Sequence, residues 1–372
     1  MSPALLVLED GATFHGESFG APGTAFGEVV FNTAMAGYQE VLTDPSYHRQ
    51  LVAMTASHQG NYGVTAADAE SDGVAVAGFI VRAVSRTYSN HRAQGSLPDY
   101  LADAGVVGIT EVDTRRLTRH LRTHGALRGG ISTDLLDADA LRARVREQPG
   151  MAGAELASAV TTATAYRYPA QGAARFRVAV LDFGAKTSQL RLLAAHGCEL
   201  TVLPASTPAA DVLALAPDGV FCSNGPGDPA AVRHGVEVIR AVLAARIPTF
   251  GICLGHQLLA LAVGARTYKL AFGHHGVNHP IRNLATGRIE IASHNHGFAA
   301  DRDALPGADG PFGRVVESHV NLNDGTNAGL SCLDVPAFSV QYHPESAPGP
   351  HDSRYLFADF CTLMRASGGA DV

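Results

Sequence analysis

From Phe176 onward, short apolar runs rich in β-branched residues alternate with runs of helical spacing, and this alternation constrains the fold more than any other feature of the chain. "FRVAVLDFG" reads as a buried strand, "TSQLRLLAAHG" as a helix ending in glycine, "CELTVLPAS" as a strand and "PAADVLALAP" as a helix. "GVFCSNGPGDP" is a strand entering a glycine-rich loop. It is followed by the helix "AVRHGVEVIRAVLAAR", the strand "IPTFGIC" and the helix "LGHQLLALAVGA". Strands alternating with helices of this length predict an α/β region, an open, mostly parallel sheet flanked by helices on both faces. Such sheets build their sites at the carboxyl ends of the strands. The SNGPGDP loop and Cys253 both fall at strand ends, so the two most unusual stretches are predicted to share one rim.

Upstream the pattern changes. Residues 1–150 mix β-like runs (ALLVLEDG, GEVVFNT, QLVAMTA, VAVAGFIV) with helix patterns such as LPDYLADAG and DTRRLTRHLRTHG. In the last of these, Asp113 stands at a cap position ahead of Leu117 and Leu121. This is a separate mixed α/β domain whose topology is not readable. "MAGAELASAVTTATAYRYPAQGAA" is small, Ala/Thr-rich and weakly patterned, and residues 151–176 are expected to connect it to a second domain at 177–372. A length of 372 residues suits two domains, and 46% apolar with 17% charged residues suits a globular core. The net charge of −7, without a basic block, disfavours a nucleic-acid binder. Five scattered cysteines read as reduced thiols in a cytoplasmic protein rather than a disulfide framework. The N-terminus lacks a basic region ahead of Glu9 and Asp10, which argues against a signal peptide. Ile247–Ala265 is 19 residues without a charge, close to membrane-span length. Pro248, His256, Gln257 and three glycines within it favour a strand, a turn and a buried helix instead.

The chemistry concentrates in Gly251-Ile252-Cys253-Leu254-Gly255. This is the cysteine counterpart of the G-x-S-x-G elbow, which bares a nucleophile at a strand-to-helix turn. The helix that follows aims its free N–H groups at the sulfur and favours thiolate. The Leu254 amide is placed to stabilise an oxyanion. A free cysteine in an apolar run is more often a core residue, and Cys198, Cys222, Cys332 and Cys361, which lack this context, are read as structural. A thiol nucleophile needs a base and a group to orient it. "FSVQYHPESAPGP" supplies both. His343 and Glu345 follow the strand Phe338–Tyr342, and Pro344 between them keeps the chain extended so that the two share a face. Glu345 is thus suited to hold the imidazole in one tautomer.

Two stretches invite other readings. "FGHHGVNHP" (His274, His275, His279) and "SHNHGF" (His294, His296) are rich in histidine, but no cysteine pair accompanies them and neither spacing fits a structural zinc site. Loop hydrogen bonding and substrate-rim roles are favoured, with no metal. "SNGPGDP" lacks the lysine and spacing of a phosphate loop. Its backbone N–H groups around Gly225 and Gly227 could complete an oxyanion hole with Leu254, bind a substrate carboxylate, or simply form a tight turn.

Together "GICLGHQ", "SNGPGDP", "NHGF" and "HPE" resemble the class I, triad-type glutamine amidotransferases. "LEDGATFHGESFG", "GEVVFNTAMAGYQEVLTDPSY", "EVDTRRLTRHLR", "FGHHGVNHP" and "SAPGPHD" narrow the resemblance to the small, glutamine-hydrolysing subunits of carbamoyl-phosphate synthetase, across essentially the whole chain. The resemblance implies that Cys253 attacks the glutamine carboxamide, His343 relays the proton to departing ammonia and Glu345 orients His343. It implies glutamine contacts at Ser46, Gly225, Gly227, Leu254, Gln257, Asn295, Gly297 and Phe298. It also implies a large synthetase partner that holds ATP and Mg, receives the ammonia and makes carbamoyl phosphate for arginine and pyrimidine synthesis. This chain is expected to carry no cofactor of its own. The alternatives are the glutaminase component of another amidotransferase complex, a non-catalytic scaffold subunit, or a cysteine peptidase or esterase on a similar elbow.

Overall fold

The structure, a computed structural model, describes residues 2–368. It forms two compact units, Met1–Met151 with Ala271–Gly276, and Ala152–Leu270 with Val277–Val372.

The first unit is a closed β-barrel. Around it the strands run Pro3–Leu8, Thr13–Gly20, Val107–Thr110, Gly78–Ile80, Gln50–Met54, Thr24–Asn32 and Leu127–Ser132, which pairs back with the first. Val107–Thr110, Gly78–Ile80, Gln50–Met54 and Thr24–Asn32 pair in parallel, and the other pairs are antiparallel. Leu6, Val29, Leu51, Ile80, Ile109 and Ile131 fill its interior. The helix Thr114–His124 forms where the sequence predicts it. The Asp113 carboxylate accepts from the Arg116 amide at 2.8 Å, and Leu117 and Leu121 are turned into the core.

The second unit is built on a ten-stranded sheet. Five neighbours, Cys198–Pro204, Phe176–Asp182, Gly219–Cys222, Thr249–Ile252 and Ala337–Val340, are parallel. The alternation of Phe176–Asp182 explains the two faces. Val178 and Val180 join one core with Leu190, Leu193, Phe357 and Phe360 from the helices Thr187–Ala195 and Tyr355–Gly368. Ala179 and Leu181 join another with Ile239, Val242, Leu254 and Leu258 from Arg233–Ala244 and Leu254–Ala262. Beyond Ala337–Val340 the sheet continues through antiparallel neighbours, Asn327–Cys332, Val315–Asn321 and Thr267–Asn283, to the edge strand Ile289–Ala300. Residues 151–176, expected as a connector, contain the short helix Ala157–Val160 and the strand Tyr166–Tyr168, which pairs antiparallel with Cys198–Pro204. Among the described residues no helix is long and apolar enough to cross a membrane.

Candidate active site

The strand Thr249–Ile252 ends at Cys253, which adopts φ 55° and ψ −103°, and the helix Leu254–Ala262 starts on the next residue. A positive φ at a non-glycine residue costs on the order of 1–3 kcal/mol and persists only where the surroundings enforce it. Here they do. The Cys253 amide donates to Val340 O at 2.9 Å, and the Gly255 amide donates to Ser223 O at 3.0 Å. A Cβ on Gly251 would meet Gly255 O at 2.7 Å, and one on Gly255 would meet Cys222 O at 2.2 Å. The two glycines therefore let the turn fold onto itself and onto the neighbouring strand. Leu254 is the first helical residue, so its N–H has no intrahelical acceptor.

The parallel neighbour Ala337–Val340 leads to His343, whose amide donates to Ser293 O at 2.8 Å. His343 Nδ1 lies 2.7 Å from Glu345 Oε1, and both side chains are buried. A carboxylate accepts, so Nδ1 donates and Nε2 is the nitrogen left for chemistry. Burial opposes a charge on His343, but Glu345 and then Cys253 outweigh it and raise the imidazole to about 10. The Cys253 thiol donates to Asn295 O at 3.5 Å, and His343 Nε2 has no well-formed hydrogen bond.

Glu345 is held ionised in the interior. Burial pushes its carboxyl up, but Lys186 and His343 together hold it well below the usual carboxylate range. Lys186 Nζ is 3.2 Å from Glu345 Oε1 and donates to Ser346 O at 2.6 Å. Gln189 Nε2 donates to the same carboxylate oxygen at 3.1 Å. Sequence reasoning passed over Lys186 and Gln189; the only signal was a lysine entering an otherwise apolar helix pattern in "FGAKTSQL".

The glycine-rich loop lies beside the elbow, on the rim where the sequence places it. A Cβ on Gly225 would stand 2.2 Å from Phe183 O and 2.9 Å from the Leu254 side chain, so this backbone reaches a spot that a side chain would block. Gly227 adopts φ +94° and packs against Ala154 O. Gln257 is buried, and its Nε2 donates to Phe298 O at 2.7 Å and to Gln341 Oε1 at 3.1 Å. It therefore braces the segment Asn295–Phe298 against the nucleophile helix. Asn295 and Phe298 are buried there, and Lys269 Nζ sits 5.3 Å from the Phe298 ring centroid and 3.6 Å from where a Cβ on Gly297 would stand. Ser46 lies in the first unit, in the turn Pro45–Tyr47, with its amide bonded to Asp44 Oδ1 at 2.9 Å.

The histidines differ from their expected loop setting. His274, His275 and His279 are on the strand Thr267–Asn283, and His294 and His296 on Ile289–Ala300. The glycines and histidines there hide the β signal because they lack apolar alternation. His294 Nδ1 and His296 Nε2 are 2.9 Å apart, and His296 Nδ1 donates to Phe298 O at 2.7 Å, so these rings stiffen the segment that faces Cys253. His256, also unforeseen, lies on the nucleophile helix, bonds Ser339 Oγ at 2.9 Å and is pushed down to about 3 by burial. It ties the helix after Cys253 to the strand before His343.

Known families and proteins resemble this chain over both units. The family profile described as "Carbamoyl-phosphate synthase small chain, CPSase domain" matches residues 6–131, and "Glutamine amidotransferase class-I" matches residues 179–363. A carbamoyl phosphate synthase small chain from Streptomyces avermitilis is 54% identical over 97% of this chain and 96% of its own. Those from Thioalkalivibrio sulfidiphilus (51% identical, 99% of this chain and 98% of the relative) and Thermosynechococcus vestitus (52%, 98% and 97%) are similar over comparable spans.

Proposed function

Because the chain belongs to the carbamoyl phosphate synthase small chain family, and so is the amidotransferase-type subunit of a glutamine-hydrolysing synthase, we propose that it hydrolyses L-glutamine at Cys253 and delivers the ammonia to a large, ATP-dependent subunit. The observation that carries this reading is the buried array of Cys253, His343 and Glu345 behind a strained elbow. The Cys253 sulfur attacks the side-chain carboxamide. His343, raised to about 10, is a stronger base than an ordinary cysteine thiolate, with pKa about 8.5, so it takes the thiol proton readily. The amides of Leu254 and the Gly225 loop hold the tetrahedral oxyanion. His343 then gives its proton to the departing ammonia, leaving a γ-glutamyl thioester. Water, deprotonated by the same imidazole, releases glutamate and restores the thiol.

Glutamine is read as bound by Ser46, Gly225, Gly227, Leu254, Gln257, Asn295, Gly297 and Phe298. With both Nε2 hydrogens of Gln257 engaged, its contribution to substrate is through Oε1 or through bracing. The large partner holds ATP and Mg and makes carbamoyl phosphate, and the pair works in the cytoplasm. Cys253→Ser tests the division of labour. In the assembled complex it should abolish glutamine-dependent synthesis and spare synthesis from added ammonia. Loss of both activities together in a correctly assembled complex would overturn the proposed split.

A further inference from the structure

Cys198 opens the strand Cys198–Pro204, and Cys361 lies within the terminal helix Tyr355–Gly368. From sequence both read as structural thiols. The fold brings their sulfurs to 3.9 Å across 163 positions of chain. Their surroundings are unequal. Cys198 is fully buried, while Cys361 keeps 5% exposure. The Cys198 thiol hydrogen-bonds to Cys361 and holds the Cys361 thiol below its ordinary value; burial opposes this, and Arg175 and Arg365 assist it. The same hydrogen bond, with burial, pushes the Cys198 thiol up. Cys222 and Cys332 are pushed up to about 12 by burial alone. Two sulfurs this close, with the Cys361 thiol lowered and the Cys198 thiol raised by their mutual hydrogen bond, have the arrangement of an attacking and a resolving cysteine.

We propose that Cys198 and Cys361 form an oxidisable dithiol, a modification site at which a peroxide-class oxidant joins them in a disulfide that ties the terminal helix to the sheet. Cys361 sulfur attacks one peroxide oxygen, the O–O bond breaks, and the other oxygen leaves as water. Cys361 is then a sulfenic acid. Cys198 sulfur attacks the Cys361 sulfur, the S–O bond breaks, and the hydroxyl leaves as a second water with the Cys198 proton. The two thiols lose two electrons and two protons, and the peroxide gains them. The sulfurs need to close from 3.9 Å to about 2.05 Å. The bond would form behind the nucleophile elbow, because Phe357 and Phe360 of the same helix pack against Phe250 on the strand that leads to Cys253.

The test uses the full chain carrying Cys253→Ser, since the nucleophile is itself a target of peroxide. It is titrated with hydrogen peroxide, alkylated and mapped by peptide mass, and its melting temperature is read with and without dithiothreitol. The expected result is a Cys198–Cys361 cross-linked peptide, a melting temperature several degrees higher on oxidation, and reversal of both by dithiothreitol. Adding Cys361→Ser should remove the melting shift. If that variant does not fold, the peptide map of its parent still decides. Cys198 left alkylatable while Cys361 is unreacted or over-oxidised, or a melting temperature that does not rise on oxidation, would overturn the proposal.

Discussion

Lys186→Met perturbs the site while leaving Cys253, His343 and Glu345 themselves unchanged. Lys186 and Glu345 are buried with their charged atoms 3.2 Å apart. Removing one partner of a buried pair costs about 3–5 kcal/mol when the other charge is left uncompensated. Glu345 escapes part of that cost by taking up a proton. Burial is the largest influence on its carboxyl, and Lys186 is the largest of those opposing it. Without Lys186 only His343 and a backbone hydrogen bond still oppose burial, and the carboxyl should therefore titrate well above its present value near 2. Each unit of that rise is about 1.36 kcal/mol of lost preference for the carboxylate. A neutral Glu345 no longer favours the imidazolium, and His343 weakens as a base. Glutamine hydrolysis should fall roughly 100-fold at pH 6, the low end of what general acid–base catalysis contributes, and should recover as pH rises. The assay is ammonia release from glutamine across pH 5–9, with ammonia-dependent synthesis by the complex as a control for assembly. Lys186 also donates to Ser346 O, so it could act only by holding that backbone. A uniform loss of activity, with a pH profile parallel to wild type, would show that purely structural role and refute the electrostatic reasoning.

Stability should carry the same signature. His343 is raised from 6.5 to about 10 in the folded chain, so its contribution is complete below pH 6.5 and is lost as pH climbs from there through 10. Denaturant melts over that range should show a decline that flattens in Glu345→Gln; identical slopes in the two proteins would contradict the pairing. Glu345 has the opposite sign. Its carboxyl is lowered from 4.5 to about 2, so its contribution is lost as pH falls through that interval. Gly255→Ala would place a methyl group 2.2 Å from Cys222 O, a backbone atom that cannot swing aside. Its glutaminase activity should be abolished and its melting temperature lowered, and a variant with wild-type activity would show that the elbow does not need this close approach.

What was legible in the sequence follows a physical divide. The elbow, the Asp113 cap and the strand–helix alternation are local patterns, and each forms where the residues point. Closure of the barrel depends on Pro3–Leu8 meeting Leu127–Ser132, a pairing that no local period encodes. The antiparallel half of the larger sheet was hidden for a different reason. Thr267–Asn283 is interrupted by glycine and histidine, so it lacks the apolar alternation of a half-buried strand. Within the site, His343 and Glu345 announce themselves by sitting two apart, whereas Lys186 reaches Ser346 O across 160 positions. Its role lies in burial and pairing, neither of which leaves a spacing to read. Cys198 and Cys361 were invisible as a pair on the same grounds.

The most direct measurement is a rapid-quench experiment on the assembled complex with isotopically labelled glutamine, followed by acid trapping and peptide mass mapping. One glutamyl group should appear on the peptide that contains Cys253, form and decay at rates compatible with turnover, and be absent from Cys253→Ser. Ammonia released at the normal rate with no label on that peptide, or with label on another residue, would contradict covalent catalysis at the elbow.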